Sequence, residues 1–320
     1  MLICGDFYTS ANKRAMAEGR KPAWLKISLP GGEGYTAVSR IVKQHGLHTI
    51  CSSGMCPNIA ECWANRVATF MILGDICTRA CRFCATATGH PLPADPQEPQ
   101  RVAQSVQLMN LAYCVITSVN RDDLPDQGAS IWRDTISAIA TLNPKTTIEV
   151  LMPDFSGRTN LIDTLLEANP HVVGHNLETV ERLTRQVRSR AAYRTSLSVL
   201  QHVAQRGYRA KSGLMLGLGE THDEVLQTMD DLLQAGCRML TLGQYLQPRP
   251  QNIPVARYIT PDEFVEYRRI ALERGFEFAE CGPLVRSSYH ADKARTLVAN
   301  PSCSAERERK ITHNEPRTNS

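Results

Sequence analysis

The chain has 320 residues, 42% hydrophobic and 21% charged, enough apolar content for one large α/β domain or two small ones. Its net charge of +4 gives no reason to make nucleic acid the main partner, and no apolar run approaches the ~18–20 residues that cross a bilayer. Eleven cysteines, an odd number, exclude a fully paired disulfide framework. With no apolar leader after "MLICGDFYTS", the expected setting is a reducing cytoplasm, where thiols serve as metal ligands, catalytic groups or inert core residues.

In chain order, "RKPAWLKISLPGGEGY" (20–35) reads as an extended arm with a turn at Pro30-Gly31-Gly32, and 39–47 as a short helix. From residue 68 short apolar, β-branched runs recur: "ATFMILG" (68–74), "YCVITSV" (113–119), "TIEVLMPD" (147–154), "HVVGHNLE" (171–178), "AKSGLMLG" (210–217) and "MLTLGQYL" (239–246). Segments with helical spacing lie between them, such as "GASIWRDTISAIATL" (128–142) and "HDEVLQTMDDLLQAG" (222–236), the second ending in a glycine cap. The proline-rich "GHPLPADPQEPQ" (89–100) reads as a loop before the first crossover helix. Six strands alternating with helices predict parallel βα units, either a partial barrel or an open doubly wound sheet. In both, chemistry sits at the C-terminal ends of the strands. The polar tail after 293 is expected to be disordered at its end.

Six of the cysteines fall between 51 and 84 as two triplets. Cys77, Cys81 and Cys84 are spaced C-x3-C-x2-C directly after the first predicted strand. Three thiolates from one tight loop suit three corners of a [4Fe–4S] cluster, leaving the fourth iron open to a small molecule. The competing readings are a zinc site completed by a distant histidine and unrelated structural cysteines. Cys51, Cys56 and Cys62 form a second triplet, C-x4-C-x5-C, upstream of the first strand.

The C-x3-C-x2-C loop, with Phe83 before its last cysteine, resembles the radical S-adenosylmethionine (SAM) superfamily. The upstream triplet with "CPNIAECW", together with "RDDLPDQGA" (121–129), "KSGLMLGLGET" (211–221), "GQYLQPRPQNIPVARYITPDEF" (243–264) and "GPLVRSSYHAD" (282–292), resembles the lipoyl synthase family over residues 20–293. The resemblance implies a partial (β/α)6 TIM-like barrel over 67–280. It is flanked by an N-terminal extension, 1–66, and a C-terminal extension, 281–320. It further implies two [4Fe–4S] clusters. Cys77, Cys81 and Cys84 would hold the SAM-binding cluster. Cys51, Cys56, Cys62 and Ser288, a serine of the RSSY motif, would hold an auxiliary one, with Ser287 as the alternative if the motif is offset by one. The implied reaction is a radical insertion of two sulfur atoms at C6 and C8 of a protein-bound octanoyl-lysine. Two SAM are consumed, and the auxiliary cluster is the sulfur donor. Those carbons are unactivated, so no general base removes their protons and the cofactor must supply the chemistry.

Implied partners are octanoylated lipoyl-carrier domains (the glycine-cleavage H protein and 2-oxoacid dehydrogenase E2 subunits), an electron donor such as flavodoxin or ferredoxin, and an iron–sulfur carrier. Asn176 and Glu178, two apart at a strand end, resemble a ribose-contacting pair. Thr117, Ser118, Asn120 and Asp123 end the second strand and are SAM or substrate candidates. Arg188 and Arg194 are candidates for the SAM carboxylate, and Arg286 for sealing the site beside the auxiliary cluster. The glycines of "GLMLGLGE" (213–220) would admit backbone close to the adenine. Strand-end capping is the plainer reading of Asn176 and Glu178.

Residues 182–211 carry eight Arg or Lys and no Asp or Glu, which reads as a solvated face or a docking surface for an acidic carrier. His45 and His48 read as local hydrogen-bonders, and Cys114 and Cys237 as buried and inert. Where this family usually has acidic residues after the first cysteine, the chain has "SSG". Where it commonly has proline and glycine, the chain has "VRSRAAY", which puts Arg190 in a loop. The other classes to weigh are a biotin-synthase-like sulfur-insertion enzyme, an iron–sulfur carrier or electron-transfer module, and a zinc-bound structural domain.

Overall fold

The computed structural model describes residues 21–25, 33–44, 49–53, 56–64, 67–188 and 190–289. The turn expected at 30–32, His45, His48 and the tail lie outside the described residues. Seven strands form one sheet: β1 (Val67–Ile72), β2 (Tyr113–Ser118), β3 (Thr147–Leu151), β4 (Val172–Gly174), β5 (Arg209–Leu216), β6 (Met239–Gln244) and β7 (Phe278–Gly282). Every neighbouring pair is parallel, and spatial order follows chain order from β1 to β7. Without a reversal of strand order, right-handed crossovers place all the helices on one face, and the twisted sheet curls into a partial TIM-like barrel. The expected six-strand count was one short. "FAECG" at 278–282 forms the seventh strand, with Ala279 buried and its neighbours half-buried.

The sheet core is nearly continuous apolar chain, as a parallel sheet covered on both faces requires. β1 is buried along its whole length. Outside it lie α1 (Glu98–Leu108), α2 (Ala129–Leu142), α3 (Thr159–Leu166), α4 (Tyr193–Gln205), α5 (His222–Gln234) and α6 (Pro261–Arg274). On α2, Trp132, Ile136 and Ile139 recur at three- and four-residue steps and are fully buried. α5 opens with a capping box between Thr221 and Glu224. It ends against Gly236, whose φ of +81° favours glycine and where a Cβ would lie 2.6 Å from Ala204.

The N-terminal helix spans Glu33–Gln44, earlier than the expected 39–47. Short helices follow at Ile50–Ser53 and Ile59–Ala64. They reach the barrel by an antiparallel bridge from Thr49 to Phe70 of β1 and by buried Trp63, stacked on Tyr35 at 5.1 Å. No helix among the described residues is long and apolar enough to cross a membrane.

Candidate active site

A cavity of about 540 Å³ opens at the C-terminal ends of the strands. Cys51, Cys56, Cys77, Cys81 and Cys84 all line it. A smaller hollow next to it is lined by Cys51, Cys56, Cys62, Arg286, Ser288 and Tyr289. Five of the six triplet cysteines therefore line the large cavity, Cys62 lines the adjoining hollow, and Arg286 and Ser288 of the RSSY segment line both.

The downstream triplet sits on a loop that the barrel fastens at several points. Ile76–Cys77 pairs with Ala87–Thr88, closing the loop at its base. Thr78 N–H donates to Asn120 O at 3.1 Å and Arg82 N–H to Val187 O at 3.0 Å. Asn252 Nδ2 donates to the carbonyls of Arg82 and Cys84, each at 3.0 Å. Backbone N–H groups also reach the sulfurs: Arg79 and Asn120 donate to Cys77 Sγ at 3.4 and 3.3 Å, and Thr86 to Cys84 Sγ at 3.4 Å. Hydrogen bonds of this kind to the sulfurs are found around iron–sulfur clusters. Burial pushes the Cys81 thiol up to about 12, opposed by the neighbouring Arg188 cation. Bare of metal, that thiol holds its proton.

Beneath this loop lies a buried ion cluster. The Arg79 guanidinium donates to Asp122 in bidentate fashion, at 2.8 and 2.7 Å, and to Asp154 at 2.8 Å. Arg79 is 7% exposed and Asp154 3%. The Arg79 hydrogen bonds hold the Asp122 carboxyl below its ordinary range; for Asp154 burial is the largest single influence and pushes up, but the Arg79 hydrogen bond and charge, with the Ser156 N–H, bring the net shift down. Arg79 stands between two cysteines of one loop, and its partners end β2 and β3. The sequence reading missed it. The signal available was a lone arginine inside "CTRAC" opposite aspartates at two strand ends.

The upstream triplet is built differently. Cys56 N–H donates to Cys51 O at 3.0 Å, and Cys62 N–H to Asn58 O at 2.9 Å, one helical turn on. Burial pushes the Cys51 thiol up to about 11, outweighing hydrogen bonds from Thr69 and Trp63. The opposite wall comes from the far end of the chain. Residues Arg286 to Tyr289 form a turn closed by Tyr289 N–H to Arg286 O at 2.8 Å. Asn58 Nδ2 donates to Leu284 O at 2.6 Å and Tyr289 Oη to Glu61 at 3.1 Å, tying the turn to the Cys62 helix. Half-buried Arg286 lines both hollows beside Cys56. Burial lowers its guanidinium pKa, as for a cation held from water.

The other expected site residues divide. Thr117, Ser118, Asn120, Asn176, Glu178 and Arg188 line the cavity. Thr117 Oγ1 already donates to Leu151 O at 3.0 Å. Ser118 Oγ is buried with no hydrogen-bond partner, a polar atom free for a ligand. Asn176 Nδ2 donates to Glu178 Oε1 at 3.2 Å and to Ser287 Oγ at 2.6 Å. Glu178 takes a left-handed φ of +68°, and burial raises its carboxyl pKa. Arg188 spends Nη1 on the carbonyls of Asn176 and Leu177 and on Ser196 Oγ, so it shores up the wall.

Two of the expected residues are not among those that line the cavity. Asp123 pairs with Arg121 at 2.9 Å. Arg194 is 72% exposed on α4 and pairs with Glu181 at 2.9 Å, away from the cavity. Of the glycine run, Gly213 lines the cavity with Leu214 and Met215, while Gly217 and Gly219 turn the chain beyond it. The basic stretch 182–211 is largely neutralised from other elements. Arg182, Arg206, Arg209 and Lys211 pair with Glu224, Asp163, Glu277 and Glu149. Cys114 and Cys237 are fully buried, as expected. His175, missed earlier, lines the cavity with Nδ1 on Met152 O and Nε2 on Ser196 Oγ. Burial pushes its pKa down to about 4, so it stays neutral.

Among the described residues no three Cys, His, Asp or Glu side chains gather as a single metal ion needs. A mononuclear ion draws its donors to within ~2–2.3 Å of one point. A cubane gives each thiolate its own iron at a separate corner, and spaced thiols around a hollow suit that demand.

The comparisons agree with this geometry. A family model described as the radical SAM superfamily matches residues 71–232. A lipoyl synthase of Parabacteroides distasonis is 60% identical over 274 residues, 86% of this chain and 98% of that protein. One of Treponema denticola is 56% identical, over 86% and 94%. Among solved structures, methylornithine synthase (PylB) aligns with a TM-score of 0.53 at 13% identity, covering 78% of this chain and 72% of that one. Streptococcus suis SuiB bound to its precursor peptide SuiA aligns at 0.52 and 11% identity, over 91% and 64%. At such identities the structures bear on the fold alone. The fold, the cysteine loop at the first strand end and the extent of the sequence identity together mean that this chain belongs to the lipoyl synthase family of the radical SAM superfamily.

Proposed function

We propose that the chain inserts two sulfur atoms, at C6 and C8, into an octanoyl group carried on a lysine of a lipoyl-carrier protein. The glycine-cleavage H protein and 2-oxoacid dehydrogenase E2 subunits are the carriers in view. A flavodoxin- or ferredoxin-type electron donor, an iron–sulfur carrier and a cytoplasmic setting complete the reading. The observation that carries it is that cysteines of both triplets line one cavity, Cys51 and Cys56 from the upstream set and all three from the loop, with Cys62 in the adjoining hollow. A hydrogen atom leaves the chain and sulfur must enter at the same carbon, so the two sources must face one bound substrate.

Membership of the superfamily implies a [4Fe–4S] cluster and SAM. Cys77, Cys81 and Cys84 are the proposed ligands of that cluster. Cys51, Cys56, Cys62 and Ser288 are proposed to hold the auxiliary cluster. When bound, these groups supply hydrogen abstraction from an unactivated carbon and the sulfur, which no side chain can. The protein's own part is positioning and exclusion of water. Arg79, Asp122 and Asp154 hold the loop triplet in place. Ser118, Asn120, Asn176 and Glu178 offer polar contacts to SAM. Leu151, Met152, Leu214 and Met215 supply an apolar wall to the acyl chain. Neutral His175 and hydrogen-bonded Arg188 keep that wall rigid.

The test is an anaerobic single-turnover reaction of the reconstituted protein with SAM, dithionite and an octanoyl-lysine peptide, followed by mass spectrometry. Gain of two sulfurs per peptide, with two 5′-deoxyadenosines formed, is expected. Deoxyadenosine with an unmodified peptide would retain the superfamily chemistry and remove the substrate. A full iron complement with no deoxyadenosine would leave only a carrier role.

A further inference from the structure

The two adjacent serines of the RSSY turn face different neighbours. Ser287 lines the large cavity, where its Oγ accepts from Asn176 Nδ2 at 2.6 Å. Ser288 also lines the small hollow with Cys51, Cys56 and Cys62, and Ser287 does not. The turn has anchors on both sides. Leu284 O and Tyr289 Oη tie it to Asn58 and Glu61 of the N-terminal extension. Toward the barrel, its side-chain anchor is Asn176, just beyond the end of β4. Beside it, Val285 O packs so closely over Gly243 that a Cβ there would lie 2.1 Å away. Consecutive Cα atoms are ~3.8 Å apart, so fixing the Ser287 hydroxyl fixes where Ser288 points.

We infer that Ser287 is a positioning residue: held by Asn176, it aims Ser288 at the upstream triplet. The inference rests on reading Ser288 as the fourth ligand of the auxiliary cluster. It explains why two serines are used, one as a ligand and one as the strut that sets it. It also gives Asn176 a task besides contact with SAM. Without Asn176 the barrel side of the turn keeps only the packing of Val285 over Gly243, which does not hold the Ser287 side chain, and a serine that swings out of the hollow is no ligand. A hydroxyl at 287 is required, and its methyl neighbour in threonine is tolerated.

The experiment uses the full chain reconstituted with 57Fe, without SAM, and reads Mössbauer spectra beside total iron and a thermal melt. Wild type should show one oxygen-ligated iron site that disappears in Ser288→Ala. In Ser287→Ala, with iron and melting temperature kept, the ratio of Ser288-ligated to unligated clusters should fall about fivefold, the effect of losing one ordinary hydrogen bond. Asn176→Ala should match it, the double variant should be no worse, and Ser287→Thr should restore the wild-type signal. A wild-type spectrum in Ser287→Ala would overturn the inference while leaving the ligation reading intact. Equal loss in Ser287→Ala and Ser287→Thr would overturn it too, since the hydroxyl would then be irrelevant. An unchanged spectrum in Ser288→Ala would remove the ligation reading, and the inference with it.

Discussion

The two cysteine triplets differ in what holds them. Cys77, Cys81 and Cys84 sit on one loop that leaves the first barrel strand and is bonded to the segments after β2, β3, β4 and β6. Its shape is a property of the barrel. Cys51 and Cys62 sit on short helices outside the sheet, with Cys56 between those helices, and their hollow closes only when residues 284–289 return from the far end of the chain. One site is preorganised by a rigid scaffold; the other is assembled from two chain extensions. A cluster that must survive many turnovers suits the first design. On the proposed reading, the cluster that is opened to release sulfur sits in the second, whose wall is formed by a turn outside the sheet.

That contrast can be broken at its strongest point by Arg79→Ala. Removing one member of a buried ion cluster strands two carboxylates, so a loss of about 3–5 kcal/mol in unfolding free energy is expected. The loop-cluster iron should fall with it while the upstream cluster stays. Chemical denaturation beside iron analysis reads both; an unchanged midpoint would show that the loop does not depend on its ion cluster.

A second test uses pH. Buried His175 titrates near 4, against about 6.5 when unfolded. Above 6.5 both states are neutral and the stability is fully present. As pH falls from 6.5 toward 4 the unfolded chain takes up the proton first, and stability on the order of 3 kcal/mol is lost. Denaturation of wild type and His175→Gln across that window should show the slope flattened in the variant. Equal slopes would contradict the buried, neutral assignment.

Gly243→Ala sharpens the assembled side. Its methyl must displace Val285 O and with it the RSSY turn, at a cost of about 1–3 kcal/mol. The auxiliary cluster should lose iron while the loop cluster retains it. The smallest effect is expected from Arg194→Ala. Its partner Glu181 is exposed, so the pair contributes about 0–1 kcal/mol and SAM affinity should not change. A several-fold weaker SAM affinity, read by equilibrium dialysis, would return Arg194 to the site.

The legibility of the sequence follows the same division. Six strands stand out because "VATFMI" or "YCVITS" must be apolar when both faces are covered. The seventh, "FAECG", escapes because an edge strand beside a cavity is only half covered and carries no β-branched residue. The cysteines are legible because ligand chemistry fixes their type and spacing. Arg194 and Asp123 are not, because a charged residue in a loop or a helix's first turn is placed by its nearest opposite charge, here Glu181 and Arg121. Arg79 and His175 are hard to read for a related reason: their partners come from distant elements, Asp122 and Asp154 for one and Met152 and Ser196 for the other, and only the folded barrel brings them together.

The most direct test of the division of labour is single turnover of Cys51→Ala, reconstituted and mixed with SAM, dithionite and the octanoyl-lysine peptide. The account predicts that 5′-deoxyadenosine still forms while the peptide gains no sulfur. Sulfur on the peptide, or no deoxyadenosine from a variant whose loop cluster is intact, would contradict it.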